Sequence, residues 1–112
     1  MIESYSFGRV VVDGRAYTRD IIILPDRVFD GWWRKEGHRV EVEDLQEALK
    51  EELETLIIGT GYYGYVEVPV ETTEWVRSRG VKLVVAKTAE ACEAYNRVSR
   101  SSRAAAALHL TC

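Results

Sequence analysis

The sequence predicts an α/β domain with a mixed sheet, N-terminal hairpins and helices packed on the sheet faces. Three observations carry this. A turn dipeptide splits an apolar run near the N-terminus, at Asp13-Gly14. Residues 21 to 24 are continuously apolar, as in a strand covered on both faces, and largely apolar short segments recur at residues 55 to 58 and 82 to 86. Helix-like segments alternate with strands over the second half, the rhythm of a β-α-β-α-β unit.

Taken in order, residues 10 to 17 form a hairpin, because Asp13-Gly14 suits a two-residue turn that needs positive φ. The Ile21-Ile-Ile-Leu24 strand stops at Pro25, and Asp30-Gly31 turns the chain before Trp32-Trp33-Arg34. Between residues 43 and 53, Leu45, Ala48, Leu49 and Leu53 fall at helical spacing, which predicts a first helix. On this reading Glu47, Glu51, Glu52 and Glu54 are its solvated face. A strand over residues 55 to 58 leads into a glycine-rich loop. A second helix is expected from Val70 to Arg79, with Pro69 suiting its first turn and Gly80 its left-handed end. After the strand over residues 82 to 86, Thr88 is placed as the N-cap of a third helix that aligns Ala91, Cys92, Tyr95 and Val98. Residues 103 to 110 are ambiguous: alanine propensity favours helix, whereas the alternation of elements favours a strand. We take the strand.

The 112 residues suffice for one domain, residues 1 to 112, with no linker, repeat or low-complexity run. A net charge of −3 with scattered arginines gives no basic stripe for nucleic acid. No apolar run reaches the ~20 residues that a membrane-spanning helix needs. The N-terminal residues lack signal or transit character, and two cysteines make no disulfide framework. The expectation is a cytoplasmic protein.

Gly59, Gly61 and Gly64 are spaced as in a dinucleotide fingerprint. The residues that follow, Tyr65-Val66-Glu67-Val68, are extended in pattern and open no helix, and the strand over residues 82 to 86 ends in Lys87 where an acid is wanted. The glycines read instead as positive-φ positions of a tight loop. No cofactor is expected.

The ordered set Trp32-Trp33-Arg34, Gly37-His38, Asp44-Leu45, Leu56-Ile-Ile-Gly-Thr-Gly61, Val68-Pro69, Thr88-x-x-x-Cys92-x-x-Tyr95-Asn96 and His109-Leu-Thr-Cys112 resembles a small family of unknown-function domains. That family includes the adipogenesis-associated protein and, more distantly, a mitochondrial complex I assembly factor. The resemblance spans nearly the whole chain, and the His-x-Thr-Cys ending points to the adipogenesis-associated branch. It implies a single three-layer β+α/β/α domain with a mixed central sheet and three helices. It also supports a strand at the C-terminal end, and a loose association with assembly or regulatory roles. No established reaction comes with it.

Three groups of residues are candidates for function. Trp32 and Trp33 are adjacent, so in extended backbone they face opposite sides; an outward tryptophan beside Arg34 suits a protein partner. Tyr62 and Tyr63 are displayed on the glycine loop and suit a ligand or a partner. Gly59, Gly61, Tyr62, Lys87 and Thr88 lie where two parallel strands would end, a crevice able to hold a small anion at a helix N-terminus. The remaining possibility is a thiol or histidine site of His38, His109 and Cys112. An unbroken strand puts His109 and Cys112 on opposite faces, and zinc would lack a fourth ligand. Cys92 reads as core, and Asn96 as a structural amide. No catalytic residue and no metal ligand is assigned. The leading expectation is a non-enzymatic interaction, assembly or regulatory domain; the alternative is a small-ligand binder or enzyme at the glycine loop and Lys87-Thr88.

Overall fold

The structure, a computed structural model, describes residues Met1 to Cys112. Three antiparallel strands come first: β1 (Ile2–Ser6), β2 (Arg9–Val12) and β3 (Arg15–Tyr17). The β2–β3 turn is tight because Asp13 and Gly14 both take positive φ, 49° and 80°, as the dipeptide predicts. β4 (Ile21–Ile23) and β5 (Val28–Asp30) form the next hairpin, and then come a 3-10 turn (Val42–Leu45), α1 (Gln46–Leu49) and β6 (Thr55–Thr60). The chain continues through α2 (Val70–Ser78), β7 (Lys82–Ala86), α3 (Thr88–Val98) and β8 (Ala104–His109).

The central sheet has strand order β5-β4-β8-β6-β7. It is mixed: β4 runs antiparallel to β5 and β8, while β6 is parallel to both β7 and β8. Its two faces carry separate cores, assigned by the period-2 alternation of strand side chains. Ile57, Ala104, Ala106 and Leu108 face Val10, Val12 and Tyr17 of the small sheet and Ala91, Cys92 and Tyr95 of α3. Leu56, Ile58, Ala105 and Ala107 face Leu45, Ala48 and Val76 of the opposite helices and the buried Trp32. The order of layers is thus small sheet plus α3, central sheet, then α1 and α2: the three-layer architecture expected.

Several local expectations need correction. The residue-43-to-53 helix is reduced to the 3-10 turn and the single turn of α1. Its intended last turn is pulled straight by Arg103, whose Nε donates to the Glu52 carbonyl (2.6 Å) and whose N–H donates to Glu54 Oε1 (2.8 Å). Glu51 is no solvated carboxylate either; it pairs with Arg27 and Arg103, each at 3.2 Å. Thr88 is not the cap of α3: Lys87 holds that position with extended ψ of 151°, and Thr88 is the first helical residue. β6 runs on to Thr60, so Gly59 lies inside a strand and needs no positive φ. A Cβ there would sit 2.9 Å from Leu108 Cδ2 and from Thr88 Oγ1, so close packing is what requires glycine. Gly61 and Gly64, at φ of 103° and 79°, do use the left-handed freedom.

Candidate functional site

The carboxyl ends of β6 and β8 lie side by side, Thr60 opposite His109. β7 ends beside them and hands the chain to α3. Thr88 ties this corner together. Its hydroxyl donates to the His109 carbonyl (2.6 Å) and accepts from the Gly61 N–H (2.9 Å). Its own N–H donates to the Gly61 carbonyl (3.1 Å). The structure therefore brings Gly59, Gly61 and Thr88 into contact. Gly64 rests on the Lys87 stem, where a Cβ on the glycine would fall 3.1 Å from Lys87 Cγ. The Gly61 and Thr88 amides are occupied by each other's residues, so the anion site expected there loses two of its donors. Lys87 itself is exposed.

Above the loop, Tyr62 and Tyr63 are exposed and meet edge to face at 5.1 Å between ring centroids. Tyr65 stacks on Tyr63 at 5.5 Å, and Phe7, from the β1–β2 turn, contacts Tyr62 at 5.7 Å. Tyr5, Ser6, Phe7, Tyr62 and Tyr63 line an open recess of about 480 Å³. The sequence pattern picks out the two loop tyrosines but not Phe7 and Tyr65. Phe7-Gly8 is itself a turn signal whose aromatic residue has no core to enter.

The two tryptophans separate as adjacent extended residues should. Trp32 is only 5% exposed, and its Nε1 donates to the Asp44 carbonyl at 2.8 Å, so it is withdrawn from any partner. Trp33 is 78% exposed.

Beneath this surface lies a polar cluster that the sequence pattern does not assemble. Asp20, just before β4, accepts through Oδ2 from Arg34 Nη2 (2.9 Å) and is 2.6 Å from His109 Nδ1. Its Oδ1 accepts the Leu110 N–H at 2.8 Å. Arg34 Nε donates to the Gly37 carbonyl (2.9 Å), and its guanidinium carbon lies 4.6 Å from the Trp32 ring centroid. Burial works to raise the Asp20 pKa. The His109 hydrogen bond, the Leu110 N–H, the His109 charge and the Arg34 hydrogen bond outweigh it and hold the carboxyl below its ordinary value. His38 is exposed, with its ring edge-on to His109 at 5.9 Å. Of the thiol and histidine candidates, the two histidines are thus together, and Cys112 is exposed at the end of the chain. Cys92 is buried against α3's core face, and burial, then the Glu93 charge, pushes its thiol up to about 12. That leaves almost no thiolate for nucleophilic chemistry. No group of three or more His, Cys, Asp and Glu side chains is placed to hold a metal ion. No helix is long and apolar enough to cross a membrane.

Comparison with known proteins gives one consistent result. The family model described as "Protein of unknown function (DUF498/DUF598)" matches residues 2–109. A conserved hypothetical protein of Pyrococcus horikoshii OT3 is similar at 28% identity over 100% of this chain and 99% of that one, with a TM-score of 0.84. A protein named MT938 is similar at 31% identity over 100% of this chain and 98% of that one, TM-score 0.82. A Bordetella pertussis protein described as an Mth938-like domain shares the fold at 18% identity over 98% and 85% of the two chains, TM-score 0.77.

Proposed function

Because the chain belongs to the unknown-function family DUF498/DUF598, whose description assigns no reaction, we propose from its surface that it is a non-enzymatic protein-interaction domain with an assembly or regulatory role. The observation that carries the reading is the run of exposed aromatic residues at the glycine-loop corner. Phe7, Tyr62, Tyr63 and Tyr65 touch one another in sequence, and Trp33 is exposed beside the buried Arg34. Aromatic side chains offer large contact area at low entropic cost, which is why tyrosine and tryptophan dominate interface hot spots. The His109-Leu-Thr-Cys112 ending favours the adipogenesis-associated branch of the family, and we place its action in the cytoplasm.

The test compares affinity capture by the wild type with capture by Trp33→Ala and Tyr63→Ala. Both positions are exposed, so the melting temperature should hold, with stability changes within about 0.5 kcal/mol. A partner retained by the wild type and released by either variant supports the reading. Equal capture by all three proteins overturns it.

A second reading, a small-ligand binder or enzyme at Gly59, Gly61, Tyr62, Lys87 and Thr88, meets the recess of about 480 Å³ through Tyr62 alone, the other lining residues being Tyr5, Ser6, Phe7 and Tyr63. A nucleotide that bound there would move the Gly64 amide and the Tyr62 ring resonances together. Titration without such shifts removes this reading.

A further inference from the structure

Two buried side chains in the Asp20 cluster each keep one polar atom without a partner: Arg34 Nη1 and His109 Nε2. Both side chains are about nine-tenths buried, at 6% and 10% exposure. An orphaned polar atom in a native interior costs about 1–3 kcal/mol, and two in one cluster ask for an explanation.

The imidazole tautomer follows from Asp20. A carboxylate oxygen 2.6 Å from Nδ1 favours a proton on that nitrogen, since two lone pairs would otherwise face each other, and Arg34 Nη2, 3.0 Å from Nδ1, then donates to Asp20 alone. Nε2 is therefore an acceptor when the ring is neutral and a donor when it is protonated. Arg34 has committed Nε to the Gly37 carbonyl and Nη2 to Asp20, which leaves the Nη1 hydrogens. Asp20 already accepts from Arg34, His109 and the Leu110 N–H. With a neutral ring the trio sums to zero charge; with a protonated ring it carries one positive charge and two unpaired kinds of N–H donor.

The geometry points to a binding site for one small oxyanion, a carboxylate or phosphate group, held by Arg34 Nη1 and the His109 Nε2 proton. It lies outside the carboxyl ends of β6 and β8, where ligands favour open α/β sheets. It uses the deep Arg34-His109 pair and not Lys87-Thr88, where the Thr88 amide is occupied. Both atoms are covered, so an anion reaches them only if a neighbouring side chain moves; the exposed His38 ring lies edge-on to His109, 5.9 Å between ring centroids. The groups facing the imidazole are Asp20 before β4, Arg34 and His38 from the β5–α1 connection, and Thr88 of α3 through the His109 carbonyl. Tyr5 of β1 stays neutral, its hydroxyl bonded to the Leu110 carbonyl and its pKa raised to about 12, chiefly by burial. Anion binding then draws a proton onto His109. The site is independent of the aromatic surface, and either proposal survives the loss of the other.

The experiment is imidazole ¹⁵N NMR on the unaltered protein, with inorganic phosphate and acetate titrated separately at several pH values. The expected result is a saturable shift of His109 Nε2 from acceptor to N–H character with one or both anions. Because the anion is held by the His109 Nε2 proton, affinity should fall as pH rises, with one proton taken up per anion bound. A response to phosphate alone assigns a phosphoryl ligand, and one to acetate alone a carboxylate. Arg34→Lys, which keeps the charge but loses the fork, should abolish the shift while the His109–Asp20 bond stays visible in the Nδ1 resonance. A His109 Nε2 signal unmoved by either anion at every pH overturns the site. So does a crystal structure with one ordered water on both atoms that neither anion displaces.

Discussion

The Asp20 carboxylate is shared by a guanidinium, an imidazole and a backbone amide, and the guanidinium reaches it from a different segment of the chain than the other two. Asp20→Asn leaves Arg34 buried without its counter-charge. The expected cost is about 2–4 kcal/mol, discounted from the fully buried case because Asp20 keeps some contact with water. The pH dependence has a definite sign. A carboxyl held below its ordinary value in the folded state contributes stability that is complete above the unfolded pKa of about 3.9 and is lost as pH falls through the folded pKa. A melting curve taken from neutral to acidic pH should therefore show the wild type losing part of its advantage below that point. Asp20→Asn should lack this component. Parallel acid profiles for the two proteins would remove Asp20 from the account.

At the scale of elements, turns differ in how much of their conformation the neighbours dictate. The β2–β3 turn stands clear: a Cβ on Gly14 (φ 80°) meets nothing within 4 Å. The β6–α2 loop is pressed against the C-terminal segment: a Cβ on Gly61 (φ 103°) falls 2.8 Å from the Thr111 carbonyl oxygen and 2.9 Å from His109 Cδ2. Gly14→Ala incurs only the left-handed strain, about 1 kcal/mol. Gly61→Ala adds a clash with backbone and should cost at least about 3 kcal/mol. Denaturant unfolding of the two variants, run side by side, reads the difference directly. Equal losses would mean that the loop relaxes away from Thr111. The same contrast bears on α1. Leu45, Ala48, Leu49 and Leu53 have the right spacing for one long helix, yet the Glu54 N–H donates to the Arg103 carbonyl (2.8 Å) and not to a carbonyl four residues back.

For the whole molecule, the central pair of strands governs cooperativity. β6 and β8 are paired on both edges and covered on both faces, and every residue of each is buried. The four alanines of β8 suit it because a strand squeezed between α3 and the opposite helices has little width for larger side chains. Native-state hydrogen exchange should find the interior amides of β6 and β8 slowest, at one common free energy equal to global unfolding. Amides of β3, a short edge strand of the small sheet, should open at lower cost. Separate opening energies for β6 and β8 would show that the two cores unfold independently.

Local chemistry alone determined much of this protein. Asp13-Gly14 specified a hairpin, Ile21-Ile-Ile-Leu24 a strand without a wet face, and Pro69 and Gly80 the limits of α2. The adjacency of Trp32 and Trp33 required that one turn inward and the other outward, but not which. Tertiary structure decided the rest. The alanines over residues 104 to 107 have the propensity of a helix, and only pairing with β4 and β6 makes them a strand. The aromatic corner joins Phe7 to Tyr62 across about half of the chain. The polar cluster is further from legibility still, since Asp20 and His109 stand 89 residues apart and Arg34 and His109 stand 75 apart. The one trace in the sequence was a charged residue at each edge of apolar segments, Asp20 before Ile21 and Arg34 after Trp33. Such charges are ordinarily solvated. Here Arg34 is buried and Asp20 mostly so because the start of β4 and the end of β8 converge, and a charge removed from water must find its partner wherever the fold has put one.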